Sequence, residues 1–256
     1  MRRAKENMRT SRRNSGQVLL IAAFIMASLL LSAQLYVIEV GKISTETETA
    51  SVNDFILVVD MGSRHVVIGS VANISNGGPT SVLASNLEKW SWIIGRQYKF
   101  GKNVLNYTLR GSSPYSSGIW TYWGTNGFGT SSGYVNFTYT LKDREVDLVH
   151  PYFINVTTSL LIESSYRTIS GDTKQVNVTI TVLNEGQPAP AKQIAVQYKF
   201  SDNWLTPNDY TTMDYGNGIY TASFTADIPS ATVEVSARVV DQRGIFVQAN
   251  ATGSPI

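Results

Sequence analysis

The spacing of hydrophobic and polar positions changes character twice along this chain. Val18 to Ile38 is an apolar run with no charged residue between Arg13 and Glu39, interrupted mainly by Ser28, Ser32 and Gln34. About 20 helical residues rising ~1.5 Å each cross a hydrocarbon core of about 30 Å, so this run is long enough to span a membrane as a helix. The polar stretch Thr45-Glu46-Thr47-Glu48-Thr49 follows. From Val52 a helical period returns through Phe55, Val59, Gly62, Val66, Val67, Ser70, Val71 and Ile74, and Asn76-Gly77-Gly78-Pro79 stops it. A second helix is predicted after Thr80 or Ser81, either of which can cap it. Leu83, Leu87, Trp90, Ile94 and Tyr98 lie near one of its faces, and Trp90 and Trp92 cannot both point inward.

From Lys99 the period shortens to that of β-strands. Residues 103–109, 118–123 and 133–141 are predicted strands, separated by turn-forming stretches at 111–117 and 124–132. The last hundred residues alternate more regularly, as in Val176, Val178, Ile180 and Val182 against Asn177, Thr179 and Thr181. Further strands are predicted at 152–164, 194–200, 210–215, 218–226, 231–240 and 244–251. Short strands at this spacing predict an antiparallel sandwich. The expected class is α+β, divided into a basic leader (1–16), a transmembrane helix (17–38), an extracellular helical stalk (39–75), an α+β head with aromatic-rich strands (76–148) and an antiparallel β-sandwich (149–256).

Charge gives the apolar run a direction. Arg2, Arg3, Lys5, Arg9, Arg12 and Arg13 precede it against a single Glu6, so the N-terminus is expected in the cytoplasm and the bulk of the chain outside. Beyond the first 13 residues the chain holds 15 basic and 18 acidic residues, a net of −3, which leaves nucleic-acid binding without an electrostatic footing. There is no cysteine, and His65 and His150 are the only histidines. Disulfides, thiolate nucleophiles and cysteine-held metals are therefore excluded, and a histidine triad or cluster has almost nothing to be made from. Both histidines are expected to be solvated or capping side chains. Asp143, Glu145 and Asp147 read as a solvated charged turn, not a paired acid and base. No phosphate-cradling, calcium-loop or zinc motif occurs, so no catalytic, cofactor-binding or metal site is expected, and the chain does not read as an enzyme.

Arg12-Arg13-Asn14-Ser15-Gly16, followed by Gln17-Val18-Leu19-Leu20-Ile21, resembles the class III signal of type IV prepilins, most closely the archaeal pilin and pseudopilin type. The likeness covers about 30 residues. It implies cleavage between Gly16 and Gln17, retention of the apolar helix and self-assembly through it. Ile21 stands where many bacterial pilins carry a glutamate that helps dock the incoming subunit. Two other export signals fit less well: Leu31-Ser32-Ala33 lacks the small residue a secretory cleavage site needs, and Asn14-Ser15-Gly16 is not the apolar continuation of a twin-arginine signal. Farther along, Asp214-Tyr215-Gly216-Asn217-Gly218-Ile219-Tyr220, with Ser223-Phe224 and the run from Val233 to Ala237, resembles the later strands of bacterial and archaeal Ig-like and fibronectin-type-III-like surface modules. That likeness, over 152–252, implies a hairpin opening at the Gly-Asn-Gly-x-Tyr element. The two resemblances together imply a membrane-anchored surface protein, a filament or pseudopilus subunit with an adhesive or scaffolding outer module. The alternative is a singly anchored cell-surface Ig-like binding protein with an ordinary uncleaved signal anchor.

Six Asn-x-Ser/Thr sequons occur, at Asn73, Asn106, Asn136, Asn155, Asn177 and Asn250, all on the expected outer side, which makes a glycoprotein the expectation. Tyr115, Trp120, Tyr122, Trp123 and Phe128, with Tyr134, Phe137 and Tyr139, form an aromatic-rich stretch beside Gly/Ser loops. Such rings either contact a glycan or surface-protein ligand or, where they alternate along strands as Trp120 and Tyr122 do, build the core of the head.

Overall fold

The computed structural model describes residue 34 and residues 52–97, 101–143 and 146–256. The expected leader, the cleavage position at Gly16 and Gln17, and the membrane span other than the exposed, helical Gln34 lie outside the described residues. The chain divides into two compact units, Met1–Val58 and Val59–Ile256, and the architecture below is that of the second.

Helix α1 (Val52–Ser75) is long and apolar enough to cross a membrane. Yet Val59, Ser63, Val67, Ser70, Val71 and Ser75 are buried, a stripe at helical spacing that turns toward the β-sheet region. The expected free stalk is thus, from Val59 onward, a helix that belongs to a globular core. Gly77 ends it: with φ of 99° it takes the left-handed position, its N–H bonding to Ile74 O while Gly78 N–H reaches Asn73 O. Helix α2 (Ser81–Gly95) follows. Thr80 occupies its N-cap position but already has helical dihedrals, and its hydroxyl makes no capping bond, contrary to the expected cap. Leu83, Leu87 and Ile94 are buried; Trp90 turns its indole over Gly62, while Trp92 is 58% exposed under the guanidinium of Arg96. Tyr98 lies outside the described residues.

Thirteen strands are found among the described residues: β1 (Lys102–Leu109), β2 (Ile119–Trp123), β3 (Phe128–Lys142), β4 (Asp147–Ser170), β5 (Thr173–Asn184), β6 (Gln187–Pro188), β7 (Ala191–Phe200), β8 (Asn203–Leu205), β9 (Tyr210–Asp214), β10 (Ile219–Asp227), β11 (Glu234–Asp241), β12 (Phe246–Thr252) and β13 (Ser254–Pro255). They form a nine-stranded sheet with the path β1-β3-β4-β5-β10-β9 and a four-stranded sheet ordered β12-β11-β7-β8. Every ladder is antiparallel except that of β13 with β4.

β4 is the spine of the larger sheet. Its 24 residues pair with β3 from Asp147 to Leu161 and with β5 from Thr158 to Ser170. The division expected at 148/149 therefore falls inside one strand. The alternation that buries Ile154, Val156, Thr158, Leu160 and Ile162 runs unbroken through it, so one sheet serves both regions.

The inward face of this sheet is covered in two ways. Beside β1 and β3 it meets the helices, where Val67 and Val71 press on Gly133 and Leu83 lies against Gly118. Beside β5 and β10 it meets the smaller sheet, and one cluster joins Leu160, Val178, Ile180, Tyr220 and Phe224 to Val196, Val235, Val239 and Val247. Phe128–Ser132, expected as turn, is strand, because β2 and β4 pair with it on both edges. Its small residues answer a packing need: a side chain at Gly129 would come within 2.0 Å of the backbone oxygen of Gln248.

Candidate functional site

Since side chains alternate along a strand, the register fixes which positions share the outward face of the large sheet. Tyr134 pairs with Asn155, Asn136 with Phe153, and Asn106 with Thr138, so Tyr134, Asn136, Phe153, Asn155 and Asn106 all project to that side. The same parity along β4 leads to Ser165, which pairs with Asn177. On β2, Trp120 and Tyr122 pair with Ser132 and Thr130 and face the same way.

The rings gather there. Tyr134 stacks on Phe153 with centroids 5.6 Å apart and planes within 2°. Tyr115, from the loop before β2, meets both Trp120 and Tyr134 edge-on at 6.0 and 5.7 Å. Arg110 places its guanidinium 4.6 Å from the Tyr134 ring centre and 5.3 Å from that of Tyr115. Tyr122 tilts against Phe128 at 6.1 Å. Phe153 is 63% exposed and Tyr122 44%, so these rings are not the core of the head.

A hydroxyl network underlies them. Asn155 Oδ1 lies within reach of three hydroxyls, Tyr115 Oη (3.3 Å), Ser132 Oγ (3.3 Å) and Thr157 Oγ1 (3.2 Å), while Ser132 Oγ and Thr157 Oγ1 lie 2.6 Å apart and share a proton of their own. The hydroxyls around this oxygen set the orientation of the amide.

Of the five aromatic residues singled out in the sequence, Tyr115, Trp120, Tyr122 and Phe128 share this face. Trp123 does not: one position along β2 from Tyr122, it turns to the opposite side, packs edge-on against Phe246 at 5.1 Å and donates from Nε1 to Ser131 Oγ. Phe137 and Tyr139 are buried on the inward side. Phe153 and Arg110 complete the patch but had no signal in the sequence, because their places depend on the β3–β4 register and on the Tyr115 loop. Five sequon asparagines, Asn73, Asn106, Asn136, Asn155 and Asn177, are exposed; Asn250 is half-buried, with its backbone bonded to Gly124 and Gly127.

The histidines go to helix α1. His65 Nδ1 lies 2.7 Å from Met61 O on an exposed side, as expected of a solvated residue. His150, expected as a solvated or capping side chain, instead has Nε2 3.2 Å from Asp60 Oδ2 and its ring stacked on Tyr152, so it is a packing and hydrogen-bonding group. Tyr152 is hydrogen-bonded to Ser63 Oγ, which also accepts from Trp90 Nε1, both at 2.9 Å. Burial pushes the Tyr152 hydroxyl up to about 12, opposed by the Ser63 bond and reinforced by the charge of Asp60. Asp147 pairs with Lys142 at 3.3 Å on the surface, and Glu145 lies outside the described residues. Among the described residues no three His, Asp or Glu side chains gather as a metal site would need. A separate open groove of about 920 Å³, lined by Tyr198, Phe200, Leu205, Tyr210 and Phe224, runs between the ends of the two sheets.

No protein-family model matches this chain, and no curated protein does either. What the site can do must then follow from its chemistry. Among the described residues it is a field of rings and hydroxyls with the Arg110 guanidinium at its edge, a chemistry suited to contact.

Proposed function

We propose that this protein is a membrane-anchored, surface-displayed structural subunit of pilin-like type, whose two facing sheets form an Ig-like β-sandwich and whose ring-bearing sheet face is its contact surface. The observation that carries the reading is the order of basic leader, Gly16, Gln17 and uninterrupted apolar run. Cleavage on the cytoplasmic side of that run leaves the helix on the mature chain, free to pack with copies of itself. That helix α1 joins a β-rich body from Val59 onward supports the displayed part of the reading. So does the hydrophobic cluster shared by the two sheets, as a sandwich requires.

Processing is the test. The mature protein should have 240 residues and begin at Gln17, and Gly16→Val should leave the precursor uncut. An intact Met1 or Arg2 terminus in native membranes refutes processing, and protection of the C-terminus from external protease refutes display. A second reading, a singly anchored surface binding protein, is favoured by the exposed rings on the sheet. Single cysteines at Ala23 or Ala27, in a chain that has none, separate the two: ladders of crosslinked oligomers mean assembly, and monomer alone means an anchor.

A further inference from the structure

Two of the sequons form a square with the stacked rings. Tyr134 and Asn136 lie two apart on β3, Phe153 and Asn155 two apart on β4, and the register sets each asparagine opposite an aromatic residue. Each asparagine thus has one ring directly across, at about 5 Å between Cβ atoms, and another two positions back on its own strand. The square's aromatic diagonal is closed by the stack. Its two asparagines differ. Asn155 has its amide plane held by the hydroxyls around its oxygen, which fixes where its Nδ2 points. Asn136 is exposed and its side chain makes no hydrogen bond among the described residues.

We propose that Asn136 carries an N-linked glycan whose first sugar lies over the Phe153 and Tyr134 rings, and that Asn155 is a structural residue that stays unmodified. Asn136 Nδ2 attacks the anomeric carbon of a sugar carried on a lipid phosphate. The C1–N bond forms as the C1–O bond to phosphate breaks; the phosphate leaves with the bonding pair, and the amide gives up one proton to a base of the transferring enzyme. Asn136-Phe137-Thr138 supplies the acceptor sequence, with Thr138 on the same outward face. An apolar ring 63% exposed in the middle of a sheet is otherwise wetted, and the flat face of a sugar is a fitting cover. The two asparagines are diagonal neighbours about 7–8 Å apart, which leaves room for one glycan over the ring pair.

This inference rests on the display reading, because glycan transfer occurs on exported chains. The full chain is expressed in a host that adds N-linked glycans outside the membrane, and its peptides are weighed. A glycan mass on the Asn136 peptide that vanishes in Asn136→Gln, beside an unmodified Asn155 peptide, is the expected result. An unmodified Asn136 peptide, or a glycan on Asn155 instead, overturns it. External protease on the same cells distinguishes the two failures: an unmodified chain that protease reaches overturns this inference alone, and one that protease cannot reach overturns display as well. The packing is read from melting. Asn136→Gln should lower the Tm of the glycosylated protein by about 2–4 °C, and by nothing when Phe153→Ala is already present. An equal drop in both backgrounds overturns the stacking.

Discussion

Asp241 illustrates how much single side chains decide here. It is fully buried, and its Oδ2 accepts from Thr158 Oγ1 at 2.9 Å and Arg243 Nε at 2.8 Å, while its Oδ1 accepts from the backbone N–H groups of Arg243 and Ile245, both at 2.9 Å. Arg243 then reaches Glu185 Oε1 at 2.6 Å and Thr157 O at 3.1 Å. The network ties the β11–β12 turn to β4 and to the turn after β5. Asp241→Ala would leave a largely buried guanidinium and two N–H groups without their acceptor, and should cost about 3–5 kcal/mol in urea unfolding, with Asp241→Asn costing less. A second prediction concerns alkali. Burial pushes Tyr139 up to about 12, as it does Tyr152. Because the folded state raises these values above the usual 10, their contribution is fully present below pH 10 and is lost as pH rises through 12. Unfolding midpoints should fall across that window, and Tyr139→Phe should flatten the fall by about 1–2 kcal/mol.

At the scale of elements, the seating of α1 on the sheet depends on what is missing from β3. A side chain at Gly133 would come within 2.5 Å of Val71 Cγ2, so Gly133→Ala should destabilise by about 1–3 kcal/mol. Combined with Val71→Ala, which removes the obstructing methyl, the loss should fall short of the sum by about 1 kcal/mol or more in a double-mutant cycle. The two faces of a strand give a sharper contrast. Val196, fully buried in the cluster between the sheets, should not tolerate aspartate, and Val196→Asp should cost several kcal/mol, on the order of 4. Thr179 is exposed on the outward face of β5, and Thr179→Asp should stay within about 0.5 kcal/mol, read from the same denaturant midpoints.

For the molecule as a whole, the shared spine β4 sets how far it can be divided. The cluster between the two sheets is built entirely from Leu160 to Ala251, so residues 150–256 carry a complete core. Expressed alone they should unfold cooperatively. The same cut strips β3 from the first half of β4, which then offers an unpaired edge of some dozen residues. The fragment should therefore self-associate at raised concentration in sedimentation, and a charged residue at the outward-facing Leu161 should suppress this.

The sequence by itself determined the local patterns. The period of apolar residues placed α1 and α2 and most of the strands, and Asn76-Gly77-Gly78 marked the helix end because only glycine takes the left-handed turn without strain. The Gly-Asn-Gly-x-Tyr stretch opened the β9–β10 hairpin for the same local reason, with Gly216 and Gly218 at positive φ. What the sequence could not determine were relations between strands distant along the chain. Phe128–Ser132 reads as turn from its glycines and hydroxyls, and is a strand because β2 and β4 supply its hydrogen bonds. Trp120, Tyr122 and Trp123 read alike, yet one step along the pleat sends Trp123 to the other face. The site needed more still. Tyr134 and Phe153, 19 positions apart, stack only because β3 and β4 pair in one register, and a slip of one residue would send Phe153 inward. That register is fixed by the burial of the opposite face against α1, α2 and the second sheet, which is a property of the packed molecule and of no stretch within it.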